Sequence, residues 1–213
     1  MNFTLRLSES NGEIRRLILE QIKDYLEPKI NNAISNIRSE LSLLVANGLK
    51  QEPEYQSLIS GQLKAELGLP DSGMVESIIT HLSNSTEISK RPLQITQNGI
   101  SGGFTINMIK SDDLSGALSQ ASASINIEGG SLPWLEWLTL RGNEILVKDY
   151  TVQFGPNPRS RSGLAIMKPS SGDKWRVPPA FVGTINNNWI TRAISRIENN
   201  VYNLFIKNIE AAI

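Results

Sequence analysis

Residues 10–48 read SNGEIRRLILEQIKDYLEPKINNAISNIRSELSLLVANG, and the spacing of their apolar side chains sets the architecture. Ser10-x-x-Glu13 has the form of a capping box. It precedes Ile14, Leu17, Ile18, Ile22, Tyr25 and Leu26, then Ile30, Ala33, Ile34, Ile37, Leu41, Leu44 and Val45. Steps of three and four place these on one face of a helix, so the stretch predicts a long amphipathic helix. Pro28 lacks the amide hydrogen that a helix interior needs, which predicts a kink or break near Glu27, and Gly48 after Asn47 predicts the stop. A second helix is expected from Pro53, through Leu58, Ile59, Leu63 and Leu67, to Gly68-Leu69-Pro70. A third, short one runs from about Met74 to Leu82.

The far end of the chain is helical by the same criterion. Asn186 to Asn188 offer a cap, and Ile190, Ala193, Ile194, Ile197, Val201, Leu204 and Phe205 recur at helical spacing up to Ile213. Between the helical ends, Pro92 to Gly130 turns to Ser, Thr, Asn and Gly, with alternation in Phe104–Met108 and Ala121–Ile127 that predicts strands wet on one face. Ser131 to Leu138, with an early Pro133, predicts a short helix within 132–141, ending at Gly142. Strand candidates follow at Glu144–Phe154, Ser162–Met167 and Lys174–Phe181.

The fold class expected is α+β, with a mostly antiparallel sheet packed by a long N-terminal and a long C-terminal helix and a helical N-terminal extension. The expected organisation is a single domain over 1–213, with a helical part at 9–83, the sheet at 92–183 and the last helix at 186–213.

Composition removes several functions. The 213 residues carry 21 Lys+Arg against 21 Asp+Glu, one His and no Cys. A balanced charge argues against a body built as an electrostatic glove for nucleic acid or anionic membrane. Without Cys there is no disulfide, thiolate nucleophile or Cys-containing zinc site, and a lone His cannot build a multi-histidine one. With 39% hydrophobic and 20% charged residues the chain should fold. The start lacks an apolar run of signal-peptide length and no run of about eighteen apolar residues occurs, so a soluble protein of a reducing compartment is expected, with no membrane association.

Few motifs point to chemistry. Gly99-Ile100-Ser101-Gly102-Gly103 satisfies G-x-S-x-G, but a nucleophile elbow needs a strand before it and a helix after it, with a base at hand. Here a strand follows and His81 is the sole histidine, so a glycine-rich turn is expected, with a Ser101-dependent hydrolase as the alternative from another class. His81 lies near a helix end, where it can meet the last carbonyls. Asp112-Asp113 read as a polar turn or cap, without the ligand spacing of a calcium loop. No cofactor and no metal are expected. The most distinctive region is Gly155 to Pro179, in which Arg159, Arg161, Lys168, Lys174 and Arg176 gather in Pro/Gly-framed loops beside Trp175. Such a region can meet phosphates or the acidic face of a neighbouring subunit, or simply form a solvated hairpin tip. The tryptophans Trp134, Trp137, Trp175 and Trp189 are expected as core or interface anchors.

Several phrases carry a resemblance. Trp134-Leu135-Glu136-Trp137-Leu138, Ile145-Leu146-Val147 with Tyr150, Phe154-Gly155-Pro156, Ser160-Arg161-Ser162-Gly163-Leu164-Ala165-Ile166-Met167, Trp175-Arg176-Val177-Pro178 and Asn188-Trp189-Ile190-Thr191-Arg192-Ala193-Ile194 resemble virion structural proteins of tailed bacteriophages, and the helix–sheet–helix order is similar to the tail-completion or head-to-tail connector (neck) family. The resemblance spans about Trp134 to Ile194. It implies a non-enzymatic assembly subunit that forms a ring with copies of itself and touches portal-side and tail proteins, located in the virion and in host cytoplasm during assembly. A tail terminator or a baseplate component are the alternatives. It further implies that Arg159, Arg161, Lys168, Lys174, Trp175 and Arg176 contact a neighbouring subunit, or packaged DNA through its phosphates alone.

Overall fold

The computed structural model describes residues 10–127 and 130–212, with only the backbone of residues 111 and 112. Helix α1 (Asn11–Lys50) starts on the capping box. The Glu13 amide donates to Ser10 Oγ (3.2 Å) and the Ser10 amide to the Glu13 carboxylate (2.7 Å). The Ser10 amide, and after it the Ser10 hydroxyl at 2.8 Å, hold the Glu13 carboxyl below its ordinary range by donating to it.

The helix runs unbroken through Pro28, contrary to the expected break. A proline costs a helix interior about 3 kcal/mol, and here both of its neighbours are held. Glu27 accepts a hydrogen bond from Lys90 Nζ at 3.0 Å, and Lys29 Nζ donates to the Ala212 carbonyl at 3.0 Å. One turn on, Ala33, Ile34 and Ile37 are buried. Gly48 is not a stop either, since the helix ends at Lys50. A Cβ at Gly48 would stand 2.7 Å from Ile197 Cγ2, so the missing side chain lets α1 approach helix α7 (Trp189–Ala212).

The expected second helix is two: α2 (Pro53–Ser60) and α3 (Gln62–Leu67). They part at Gly61, whose backbone is extended, and the Leu63 amide turns to Ser57 Oγ at 2.9 Å. Helix α4 covers Gly73–Asn84.

Strands β1 (Glu87–Thr96) and β2 (Gly99–Asn107) form an antiparallel hairpin. The register slips between Arg91 and Gln94, where Pro92 has no amide hydrogen for the ladder. Gly102 lies opposite this bulge, and a Cβ there would stand 2.6 Å from Leu93 Cδ2 and 3.1 Å from Leu93 Cα. Next comes helix α5 (Ser111–Leu118), so of the turn or cap expected at Asp112-Asp113 the structure has a helix start. Asp113, third residue of the helix, accepts from the amide of the N-cap residue Lys110 at 2.8 Å, while the Asp112 side chain lies outside the described residues. Of the alternating stretch 121–127, only β3 (Ile125–Ile127) is strand, paired with β4 (Gly130–Leu132). Helix α6 is Trp134–Thr139. Strand β5 (Val147–Phe154) pairs with β6 (Ala165–Trp175), which merges two of the expected strands, and 176–181 is loop and a short 3-10 turn.

The fold is therefore α+β with antiparallel pairing and long terminal helices, and among the described residues the strands form three separate two-stranded pairs. Each pair needs helices to cover its apolar face, because two strands alone bury too little. The chain divides into two compact units. One holds the described residues of 1–40, 87–107 and 202–213, and the other holds 41–86, 108–127 and 130–201.

In the first unit the β1–β2 hairpin packs against the earlier part of α1 and the end of α7. Leu26, Ile30, Leu93, Phe104, Phe205 and Ile209 surround a space of about 270 Å³, and the Phe104 and Phe205 rings lie 3.9 Å apart, tilted by 36°. In the second unit Leu41, Val45, Leu49, Leu58, Leu63, Val75, Ile78, Leu82, Leu135 and Leu138 are fully buried. Its two fully buried tryptophans satisfy their indole N–H groups internally: Trp189 donates to the Leu49 carbonyl (2.9 Å) and Trp134 to the Ser122 carbonyl (2.7 Å).

Candidate functional site

The basic region folds as the connection between β5 and β6. Phe154 pairs with Ala165 and Val152 with Met167, and the loop between them is held by its own side chains. The Arg159 amide donates to Asn157 Oδ1 (2.9 Å), Ser160 Oγ donates to the Ala165 carbonyl (2.6 Å), and the Gly155 amide donates to the Leu164 carbonyl (2.8 Å). Asx and hydroxyl bonds of this kind give a Pro/Gly-rich hairpin tip one shape, although most of its residues are exposed. The loop bounds a cleft of about 470 Å³ in the second unit, whose other walls are the end of α3, Leu132, Trp137, Val147 and the first half of β6.

Arg159, Arg161 and Lys168 line this cleft with exposed side chains. Arg161 is placed over the end of α3: a Cβ on Gly68 would stand 3.0 Å from its Nη2. Among the described residues none of the three makes an ion pair. The cleft's acid is Glu66, and both its oxygens are occupied: Oε1 accepts from Gln62 Nε2 (2.6 Å) and Oε2 from Trp175 Nε1 (3.0 Å). Three cations against one committed carboxylate leave a net positive, partly concave surface over an apolar floor of Leu67, Trp137, Ala165 and Met167. Charges at the mouth of a low-dielectric concavity act more strongly on an incoming anion than the same charges on a flat surface.

The other three expected contact residues go elsewhere. Lys174 sits near the opposite end of β6, paired in register with Lys148, and Arg176 Nη1 donates to Asn143 Oδ1 at 3.1 Å. Trp175 faces the interior of this chain. It is 7% exposed, its indole is bonded to Glu66, and its ring lies 5.8 Å from that of Trp137. The alternation of β6 turns it inward while Lys174 points out.

Ser101 does not sit on a nucleophile elbow. It is an exposed residue inside β2, paired with Gln94, and neither a helix nor a turn follows it. The glycines of Gly99-Ile100-Ser101-Gly102-Gly103 serve the hairpin, with Gly102 making room for the β1 bulge. His81, in the last turn of α4, has its Nδ1 3.4 Å from Gln120 Nε2. No group of three or more metal-ligating side chains occurs among the described residues, and no described helix is long and apolar enough to cross a membrane.

Two buried acids escape a reading by sequence. Glu52 and Glu54, each 1% exposed, flank Pro53 and meet Arg196 and Arg192 of α7. Arg192 Nη2 donates to Glu54 Oε1, and Arg196 Nη1 is 3.1 Å from Glu52 Oε1. Burial raises the Glu52 carboxyl above its ordinary range despite Arg196. The four-residue spacing of the two arginines beside Ala193 and Ile197 was the available signal, but the acids lie some 140 positions away in sequence, |i−j| = 138 for Glu54 and Arg192. Nearby, Tyr55 Oη donates to Glu76 at 2.5 Å, which pushes the phenol up to about 12. Burial raises the Glu76 carboxyl, but bonds from Lys50 and Tyr55 outweigh it and hold the group below its ordinary range.

The apolar surface is uneven. Leu17, Ile18, Ile22 and Tyr25 are 50%, 54%, 42% and 57% exposed. Ile18, Ile22 and Tyr25 follow steps of four and three, so they form a second apolar stripe on α1, beside the one that carries Leu26, Ile30 and Ile37.

Comparison with known proteins adds no relative: no family model matches the chain, and no curated protein or solved structure is significantly similar to it.

Proposed function

We propose that this chain is a structural subunit that works by self-association. The observation that carries this is the solvent-facing stripe of Ile18, Ile22 and Tyr25, with Leu17 at its flank, on a helix whose other apolar face is already packed. Isolated exposed apolar residues are ordinary, but a continuous row on a capped helix marks a surface that another protein covers. Contact between this stripe and a different patch on the next copy is heterologous, and such contacts close into rings when the rotation allows.

Within that class, the phrases between Trp134 and Ile194 favour a neck or tail-completion subunit of a tailed bacteriophage, seated in the head-to-tail connection beside portal-side and tail proteins. Its place is then the virion, and the host cytoplasm during assembly, with any touch on packaged DNA left to a few basic side chains.

Native mass spectrometry and negative-stain microscopy of the purified chain should give closed oligomers, and peptides of it should be found in purified virions. Ile18→Asp with Ile22→Asp should reduce the oligomer to monomer while leaving the melting temperature nearly unchanged. A chain that stays monomeric and never enters virions overturns the reading. Ser101→Ala should leave assembly untouched, whereas loss of a hydrolytic activity in that variant would move the protein to the enzyme class.

A further inference from the structure

We propose that the cleft between the β5–β6 loop and the end of α3 is a docking site for an acidic, partly apolar peptide segment of a neighbouring protein. The owner of the segment, another virion protein, follows from the assembly reading, whereas the chemistry of the cleft does not depend on it. Arg159, Arg161 and Lys168 stand at its mouth with no carboxylate of their own, and Leu67, Trp137 and Met167 lie beneath them. At about 470 Å³ the space falls within the range of sites that enclose part of a ligand.

The combination discriminates between anions. Arg clusters recognise acidic segments through charge-assisted, often bidentate bonds. Duplex DNA presents its phosphates on a convex backbone and has no group to fill an apolar floor, so a DNA contact leaves half of this cleft unused. A free phosphate meets the cations but not the floor. A peptide with carboxylates flanking a leucine uses both: its carboxylates meet the guanidinium and ammonium groups, and its side chain lies against Trp137. Glu66 repels it weakly by comparison: Gln62 and Trp175 hold its two oxygens in place, and its single negative charge faces three cations in the same cleft.

The test uses the full chain and an N-acetylated Glu-Leu-Glu-Glu-Leu-Glu peptide, followed by tryptophan emission and by calorimetry. Binding should shift the emission, and the shift should vanish in Trp137→Phe. Arg161→Glu and Lys168→Glu should each weaken binding by on the order of tenfold to a hundredfold, as expected for loss of a charge-assisted bond. Lys174→Glu, at the other end of β6, should change it less than about twofold, in line with screening over such a distance. Parallel titrations with inorganic phosphate and with a short duplex DNA complete the comparison. Tighter binding of the duplex overturns the proposal in favour of nucleic acid, and equal binding of phosphate reduces the site to a simple anion hole. No binding, or an equal loss in Lys174→Glu, rejects it outright. A chain that forms rings and enters virions yet binds no peptide refutes this inference alone, and one that binds the peptide but never assembles refutes the assembly reading alone.

Discussion

The two units share α1 and α7 but use their apolar residues in opposite ways. In the second unit, the end of α1 buries Leu41, Val45 and Leu49 completely, and the start of α7 buries Trp189, Ile190, Ala193 and Ile197. In the first unit, the same helices leave Leu17, Ile18, Ile22, Tyr25 and Tyr202 exposed, and among the described residues the strands there form one hairpin. A two-stranded pair offers one face, and α1 carries two apolar stripes there. The contrast separates a unit whose apolar helix residues are buried within it from one in which part of them is exposed.

The comparison can be broken at its strong end first. Leu49→Ala, in the fully buried part of α1, should cost about 2–5 kcal/mol, read from urea unfolding. A similar cost for Leu17→Ala, in the first unit, would erase the distinction between the units. Gly102→Ala tests the hairpin: a Cβ would crowd Leu93, including its backbone, and the cost should be about 1–3 kcal/mol. Amide exchange should quicken in β1 and β2 while the amides of α2 to α4 stay protected, which sharpens the division into two units.

Within the second unit the pH dependence has two opposite signs. The folded Glu52 carboxyl titrates above its ordinary value of 4.5, so the native chain holds more protons than the unfolded one and stability falls as pH rises from 4.5 through the folded value. The folded Glu76 carboxyl titrates below 4.5, so its contribution is complete above that pH and is lost as pH falls through the folded value. Glu52→Gln should flatten the slope above pH 4.5, and Glu76→Gln the slope below it, as measured by urea midpoints across the pH range. The smallest effect on folding is expected for the outward stripe: Ile22→Asp should change stability by no more than about 0.5 kcal/mol. Its effect should appear in the native mass of the oligomer, and a large drop in melting temperature would instead place Ile22 within the chain's own core.

Much of the fold was legible because its signals are local. The Ser10–Glu13 box and the Asn188 cap are set by bonds spanning a few residues, and Asn188 Oδ1 accepts from the Ile190 and Thr191 amides at 3.0 and 3.1 Å. The misreadings share a cause. Pro28 and Gly48 are local breakers, but each sits where tertiary contacts override propensity: ties from Lys90 and to Ala212 around the proline, and the Ile197 side chain against the glycine. Asp112-Asp113 leaves a turn and a cap both open, and Asp113 serves in the capping box of α5. Of the candidate site, the loop and its charges could be read, but not the burial of Trp175 or the separation of Lys174 and Arg176 from the other cations.

By itself, then, the sequence determined the α+β class, the long terminal helices, the absence of cysteine chemistry and the concentration of basic residues between Gly155 and Pro179, because period, capping and composition act over a few residues. Tertiary structure alone decided which stripe of α1 faces outward, that Glu52 and Glu54 meet arginines far along the chain, and that Arg159, Arg161 and Lys168 converge on one apolar cleft. Those outcomes depend on which distant segments compete for the same surface, and among the described residues the β1–β2 hairpin covers one apolar stripe of α1 and leaves the other exposed.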